Sequence, residues 1–142
     1  MQLPTNRSMP VSSVIPVLAY PDVRVAVEWL CRVCGFRERL RIGDHRSQLE
    51  FQGASVVVTS GGALEAQKST HSIMLRVVDA HALHSYIQST GARVLGPPVD
   101  FPYGERQFSI VDPGGHVWTF SQTIADIDPA SWGGQLFSTS ES

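Results

Sequence analysis

The chain has 142 residues, 42% of them hydrophobic and 17% charged, and a formal net charge of −2. That is enough apolar material for one packed domain and too little net charge for a disordered chain. It gives no electrostatic reason to bind nucleic acid or an anionic membrane. No apolar run approaches the ~20 residues of a membrane span, and no charged segment leading into an apolar one opens the chain, so the cytoplasm is the expected compartment.

Residues 1–13 are polar, with Pro4 and Pro10, and read as an N-terminal arm, either loose or crossing onto a partner subunit. Val14 to Tyr20 is an apolar run of strand length. Pro16 within it has no N–H for a ladder, which suits a sheet edge or a dimer seam. Asp22 then caps a helix. Val23, Ala26, Val27, Leu30, Val33 and Cys34 recur at helical spacing, and Gly35 ends the helix. Trp29 is expected between helix and sheet. Cys31 and Cys34 are spaced CxxC, but they lie inside this helix and no second pair completes a metal site. They are expected as small packed apolar side chains. Three strands follow, Phe36 to Ile42, Ser47 to Phe51 and Ala54 to Thr59, with turns at Gly43-Asp44 and Gln52-Gly53. Residues 60–70 read as a polar linker.

The second half repeats this order. His71 to Val78 is a strand, and Asp79 caps a helix over Ala80 to Thr90. Leu83, Tyr86 and Ile87 form its stripe, His81 and His84 are expected to face solvent, and Gly91 ends it. Ala92 to Leu95 is a strand, broken by Gly96-Pro97-Pro98. Val99 to Tyr103 reads as a loop with two aromatics. Gly104 to Gln122 is a β-hairpin around Asp112-Pro113-Gly114-Gly115, where Asp bonds the backbone ahead of it, Pro presets φ and Gly tolerates positive φ. Residues 124–142 form a polar tail whose Trp132 and Phe137 are expected to dock on this subunit or its neighbour.

Asp22 and Asp79, Trp29 and Tyr86, and Gly35 and Gly91 recur at a near-constant offset, and Gly53 and Gly115 at a slightly larger one. A duplicated unit of this kind cannot bury its sheet face alone, so the halves should pack together. The predicted fold class is α+β: one domain over residues 14–123, built of two tandem βαβββ modules (14–60 and 71–123). Their curved mixed sheet surrounds a cleft, and the helices lie on the convex face. The cleft is the expected ligand site.

PDVRVAVEWLCRVCGF in the first half and YGERQFSIVDPGGHVWTF in the second resemble the vicinal oxygen chelate superfamily, the glyoxalase, bleomycin-resistance and dioxygenase group. The resemblance covers roughly Val14 to Thr123. It implies the fold but not one activity, because this fold hosts lyases, isomerases, dioxygenases, transferases and non-catalytic drug binders. Metal-dependent members hold a divalent ion on four cleft-facing strand positions. The resemblance places these at Ile15, Val57, Ser72 and Thr119, none a normal ligand for such an ion. The expected cofactor set is therefore none, with one divalent metal ion as the alternative. A one-residue slip would bring His71 into the cleft. His116 matches a histidine that looks structural in related sequences.

Strand alternation puts Ile15, Val17 and Ala19 on one face of the first strand, Ser72, Met74 and Arg76 on one face of its counterpart, and Thr119 with Val117 on the inward face of the last. Trp118 and Phe120 then face the helices. Arg76 is expected to pair with Glu50 or to meet an anionic or carbonyl group of a ligand. Phe101 and Tyr103 are candidates for stacking on a planar ligand, and Arg106, beside Glu105, is a further candidate. The candidate ligand set is Ser72, Met74, Arg76, Thr119, Glu50, Phe101, Tyr103 and Arg106. The favoured reading is a metal-independent homodimer that binds a small, partly aromatic or drug-like molecule. The alternative is a glyoxalase-like lyase or isomerase, or a dioxygenase, acting on a small carbonyl compound with a divalent metal. A structural dimer without a ligand is a third reading.

Overall fold

The computed structural model describes residues 3–62 and 71–137; most of the expected linker lies outside them. The first module runs β1 (Val17–Tyr20), α1 (Val23–Cys34), β2 (Arg37–Ile42), β3 (Arg46–Phe51) and β4 (Ala54–Ser60). The second runs β5 (Ile73–Arg76), α2 (Ala80–Ser89), β6 (Arg93–Val94), β7 (Val99–Phe101), β8 (Glu105–Val111) and β9 (Val117–Thr123), followed by a 3-10 helix at Pro129–Trp132. The first sheet has the order β1-β4-β3-β2, and the second β5-β9-β8-β6, with β7 also on β8. In each sheet the module's first strand pairs parallel with its last, Val17 opposite Val57 and Met74 opposite Thr119. The remaining pairs are antiparallel.

The repeat is visible in the helix starts. The Asp22 carboxylate accepts from Val25 N at 3.1 Å, and that of Asp79 from Ala82 N at 3.0 Å. Gly35 closes α1 with φ of +83°, a backbone that a side chain would oppose. Pro16 sits just outside β1, where its carbonyl accepts from Val57 N. One expectation is corrected: Val99–Phe101 is a strand, not a loop. Its turn closes through Gly104, whose φ is +85° and whose N–H donates to Phe101 O, which folds β7 back onto β8.

The helix-facing sides of both sheets share one core. Leu30, Val33, Leu49 and Val58 of the first module meet Ile87, Phe108, Trp118 and Phe120 of the second. Phe36 lies edge-on to Trp118 with ring centroids 5.5 Å apart, and Phe108 stacks on Phe120 at 5.1 Å. Each fully buried side chain of this size contributes roughly 1.5–3 kcal/mol by removal from water. Cys34 is buried in this core and Cys31 half-buried, both as free thiols, and burial pushes both thiols above their ordinary range. Trp29 packs against the core. Tyr86 is half-exposed, and its hydroxyl donates to Arg32 O at 2.8 Å, tying α2 to the last turn of α1. His84 corrects a second expectation. It is half-buried rather than exposed; its ring stands edge-on to Phe108 at 5.1 Å, because α2 lies close enough to β8 to cover part of that position.

The Asp112 turn joins the modules. One carboxylate oxygen accepts from Gly114 N and His116 N, each at 2.9 Å. The other accepts from Tyr20 OH at 2.5 Å and from Trp118 Nε1 at 2.8 Å. Burial, then the Asp112 charge and hydrogen bond, push the Tyr20 phenol far up, so it stays a donor. His116 is buried and its Nε2 lies 2.8 Å from Ala19 O, a structural role. A Cβ on Gly114 would lie 2.5 Å from the Tyr20 ring, so this turn requires glycine where the two modules meet.

The N-terminal arm lies across its own first sheet. Gln48 Nε2 donates to Ser8 O at 2.8 Å, and Arg39 Nη2 to Arg7 O at 2.9 Å. Ser12 Oγ reaches Gly53 O at 3.2 Å.

Candidate functional site

The faces turned away from the helices are where alternation exposes the remaining side chains. On the second sheet this face is a hollow of about 400 Å³. Met74 of β5, Thr119 of β9, and Gln107 and Ser109 of β8 form its floor, with Leu95, Val99 and Phe101 around the rim. The hairpin register sets the floor, pairing Ser109 with Thr119 and Gln107 with Ser121. These pairs bond each other: Ser109 Oγ lies 2.8 Å from Thr119 Oγ1, and Gln107 Nε2 donates to Ser121 Oγ at 3.0 Å. Ser121 Oγ in turn donates to Glu105 Oε1 at 2.6 Å. Burial pushes the Glu105 carboxyl up, but the bonds from Ser121 and Thr123 and the Arg76 charge outweigh it and hold the carboxyl below its ordinary value.

An aromatic tier stands beside the hollow. Phe101 and Tyr103 stack with centroids 5.4 Å apart and planes 10° from parallel. Trp132, from the 3-10 helix, tilts against Tyr103, also at 5.4 Å. The tail can come this close because Gly104 has no side chain: a Cβ there would lie 2.3 Å from Ala125 O. Trp132 thus docks on its own subunit as the tail composition suggested, while Phe137 is exposed.

Among the sequence candidates, Met74, Thr119 and Phe101 come together in this hollow, and Tyr103 adjoins it through Phe101. Ser72 directly precedes β5 and is exposed. Arg76 shares the Met74 face of β5, but it borders a second depression of about 660 Å³ with Phe51 and Val78, and it donates to Thr123 Oγ1 at 2.9 Å. The pairing of Arg76 with Glu50 does not occur. Glu50 is on the other sheet, where it pairs with Arg37 and, at 3.5 Å, with Arg39. Arg106 lies on the opposite face of β8 from Gln107 and bonds Asp100 at 2.7 and 3.1 Å, which holds the Asp100 carboxyl below its usual value. Gln107, Ser109, Leu95 and Val99 were not anticipated; counting outward from the Asp112 turn was the available signal for the first two.

The four positions that the sequence resemblance assigns to a metal offer poor donors. Ile15 and Val57 are aliphatic and lie along the first sheet. Thr119 is engaged by Ser109, and Ser72 is a neutral hydroxyl. His71 is not brought into the hollow by a register slip: Ile73 pairs with Trp118 and Met74 with Thr119, and the His71 ring lies 6.0 Å from that of His116. Among the described residues no three His, Cys, Asp or Glu side chains converge. The donor chemistry at these positions does not fit a divalent ion.

Residues 14–120 match the family model of the glyoxalase/bleomycin resistance protein/dioxygenase superfamily. The chain belongs to this superfamily. The structure of TioX from Micromonospora sp. ML1 is similar at 31% identity, covering 82% of this chain and 100% of that one, with a TM-score of 0.65. A bleomycin resistance determinant encoded on transposon Tn5 is similar at 20% identity, covering 80% and 99% of the two chains, with a TM-score of 0.66. The bleomycin-binding protein from Streptomyces verticillus, solved with copper(II)-bleomycin, shares 20% identity over 75% and 92% of the two chains, with a TM-score of 0.58. The last two likenesses establish the fold, which is the paired βαβββ arrangement. No curated protein sequence matches the chain. No helix among the described residues is long and apolar enough to cross a membrane.

Proposed function

We propose that this superfamily member is a metal-independent binder of a small, partly aromatic molecule, acting as a homodimer in the cytoplasm. The observation that carries the reading is the pairing of a concave hollow of about 400 Å³ with the Phe101–Tyr103–Trp132 tier. That volume is in the range of small-ligand sites. The floor offers neutral hydroxyl and amide groups, and the rim offers flat and aliphatic ones. This suits a ligand with a planar ring and a few polar substituents, and two of the structural neighbours are by name bleomycin resistance or bleomycin-binding proteins. Met74 and Val99 are half-exposed at the hollow, and Val17 is half-exposed at the edge of the first sheet, which supports a second copy closing over these faces.

The test is a thermal-shift and calorimetric screen of planar aromatic amides, with bleomycin as one member. Saturable binding at one site per chain, weakened about tenfold by Phe101→Ala or Tyr103→Ala and without turnover of the ligand, is expected. Absence of saturable binding, or binding indifferent to both substitutions, would refute the assignment. Light scattering at micromolar concentration should give twice the chain mass.

A further inference from the structure

A chain of hydrogen bonds with one direction runs from Glu105 to the hollow. Arg76 Nη2 donates to Thr123 Oγ1 at 2.9 Å, which leaves the Thr123 proton for the Glu105 carboxylate. Ser121 Oγ donates to Glu105 Oε1 at 2.6 Å. A hydroxyl has one proton to give, so Ser121 can only accept from its other neighbour, Gln107, whose Nε2 donates to it at 3.0 Å. Ser121 is buried, so bulk water does not compete for its hydroxyl. The Gln107 nitrogen is thereby committed to Ser121. Its Oε1 is left for Tyr103 OH, which donates to it at 3.3 Å.

A glutamine amide can present either end, since half a turn about its last bond exchanges oxygen and nitrogen. Here the choice is made by Glu105, which does not itself line the hollow. Against the push of burial, the bonds from Ser121 and Thr123 and the Arg76 charge hold its carboxyl below the ordinary value. An ionised carboxylate accepts and never donates, so it draws the Ser121 proton toward itself. Gln107 lines the hollow, and its oxygen has a second lone pair beyond the one that Tyr103 uses. A ligand N–H meeting that lone pair is paired. A ligand oxygen in the same place would leave two acceptors facing each other with no proton between them.

We infer that Glu105 is a positioning residue that sets the polarity of the hollow: through Ser121 it holds the Gln107 oxygen ready for the ligand, so that the site selects an aromatic molecule carrying an N–H donor over an isostere that lacks it. The inference rests on the hollow being the ligand site.

N-methyl-2-naphthamide and methyl 2-naphthoate are suitable probes, because they differ chiefly in an N–H that becomes an oxygen. Calorimetry with the full chain is expected to show the amide binding about tenfold more tightly than the ester, the low end for an unpaired polar group at a half-buried position. In Glu105→Gln, Thr123 still donates to the new amide oxygen, which sets the new amide nitrogen against Ser121. Ser121 then donates to Gln107, and the Gln107 carboxamide turns over. The preference should vanish or reverse, and Gln107→Met, which removes the acceptor, should abolish it too. A readout without ligand follows the same turn. Nuclear Overhauser contacts of the Gln107 amide protons should run to the Ser121 methylene in the parent and to the Tyr103 ring in Glu105→Gln. Equal affinity for the two probes in the parent would overturn the polarity while leaving the hollow a ligand site. A preference and amide contacts unchanged in Glu105→Gln would overturn the positioning role. Failure of both probes to bind saturably would refute the ligand reading itself, and the selectivity would fall with it.

Discussion

Replacing Asp112 by Ala removes the acceptor that four buried donors share: Gly114 N, His116 N, Tyr20 OH and Trp118 Nε1. Each buried donor left without a partner costs about 1–3 kcal/mol. If turn relaxation or an entering water recovers about half of that, the loss is about 4 kcal/mol, a large share of the ~5–15 kcal/mol that holds a domain together. In urea, with an m-value of about 2 kcal/mol/M for a chain of this size, the midpoint should fall by about 2 M at unchanged m. A double-mutant cycle isolates the contact between modules. Tyr20→Phe alone should cost about 1–2 kcal/mol, and next to nothing once Asp112 is gone, because its hydroxyl then has no carboxylate to serve. An Asp112→Ala protein within about 1 kcal/mol of the parent, or a Tyr20→Phe cost that is the same in both backgrounds, would refute the claim that this carboxylate joins the halves.

Gly114→Ala should destabilise by about 1–3 kcal/mol through overpacking on the Tyr20 ring, read as a fall in thermal midpoint; a neutral effect would mean that the turn can shift away from β1. The Glu38 carboxyl is held far below its ordinary value by the hydrogen bonds of Arg24 and then Arg41, against an opposing push from burial, with Ser47 adding to the lowering. Its folded pKa therefore lies below its unfolded one. The stabilisation is complete above the unfolded carboxylate value of about 4.3 and is lost as pH falls toward the folded value. Glu38→Gln should cost about 2 kcal/mol at pH 7, and the gap should narrow in urea melts below about pH 4; a gap independent of pH would sink this account. Trp132→Ala should leave folding intact and weaken an aromatic ligand by about 1 kcal/mol, roughly fivefold in affinity; unchanged affinity would place the ligand away from the tier. Dialysis against Ni2+, Mn2+, Zn2+ or Fe2+ should leave no stoichiometric ion by elemental analysis, and a retained ion would contradict metal independence.

The elements legible in the sequence were those whose signals are local. Asp22 and Asp79 each sit where a capping carboxylate reaches an N–H three residues on, and Asp112-Pro113-Gly114-Gly115 specifies its turn within four residues. Alternation then correctly placed Trp118 and Phe120 in the core and Met74 and Thr119 on the opposite face. What escaped was set by distant chain. Glu50 has several arginines within reach on the neighbouring strand, and no periodicity says which it takes. His84 occupies an exposed-looking helical position until Phe108 is brought beneath it. The arm carries a composition typical of a loose segment, yet Gln48 and Arg39 hold its backbone.

The parallel pairing of first strand with last also bears on the order in which the chain assembles. Strands β2, β3 and β4 form a meander closed by short turns, as do β8 and β9, so these can zip early with little loop to order. Strands β1 and β5 find their partners only at the far end of their own modules. They should join late, and they should be first to exchange amide protons when the native protein breathes. Substitutions along either strand should then act on the rate of unfolding more than on the rate of folding.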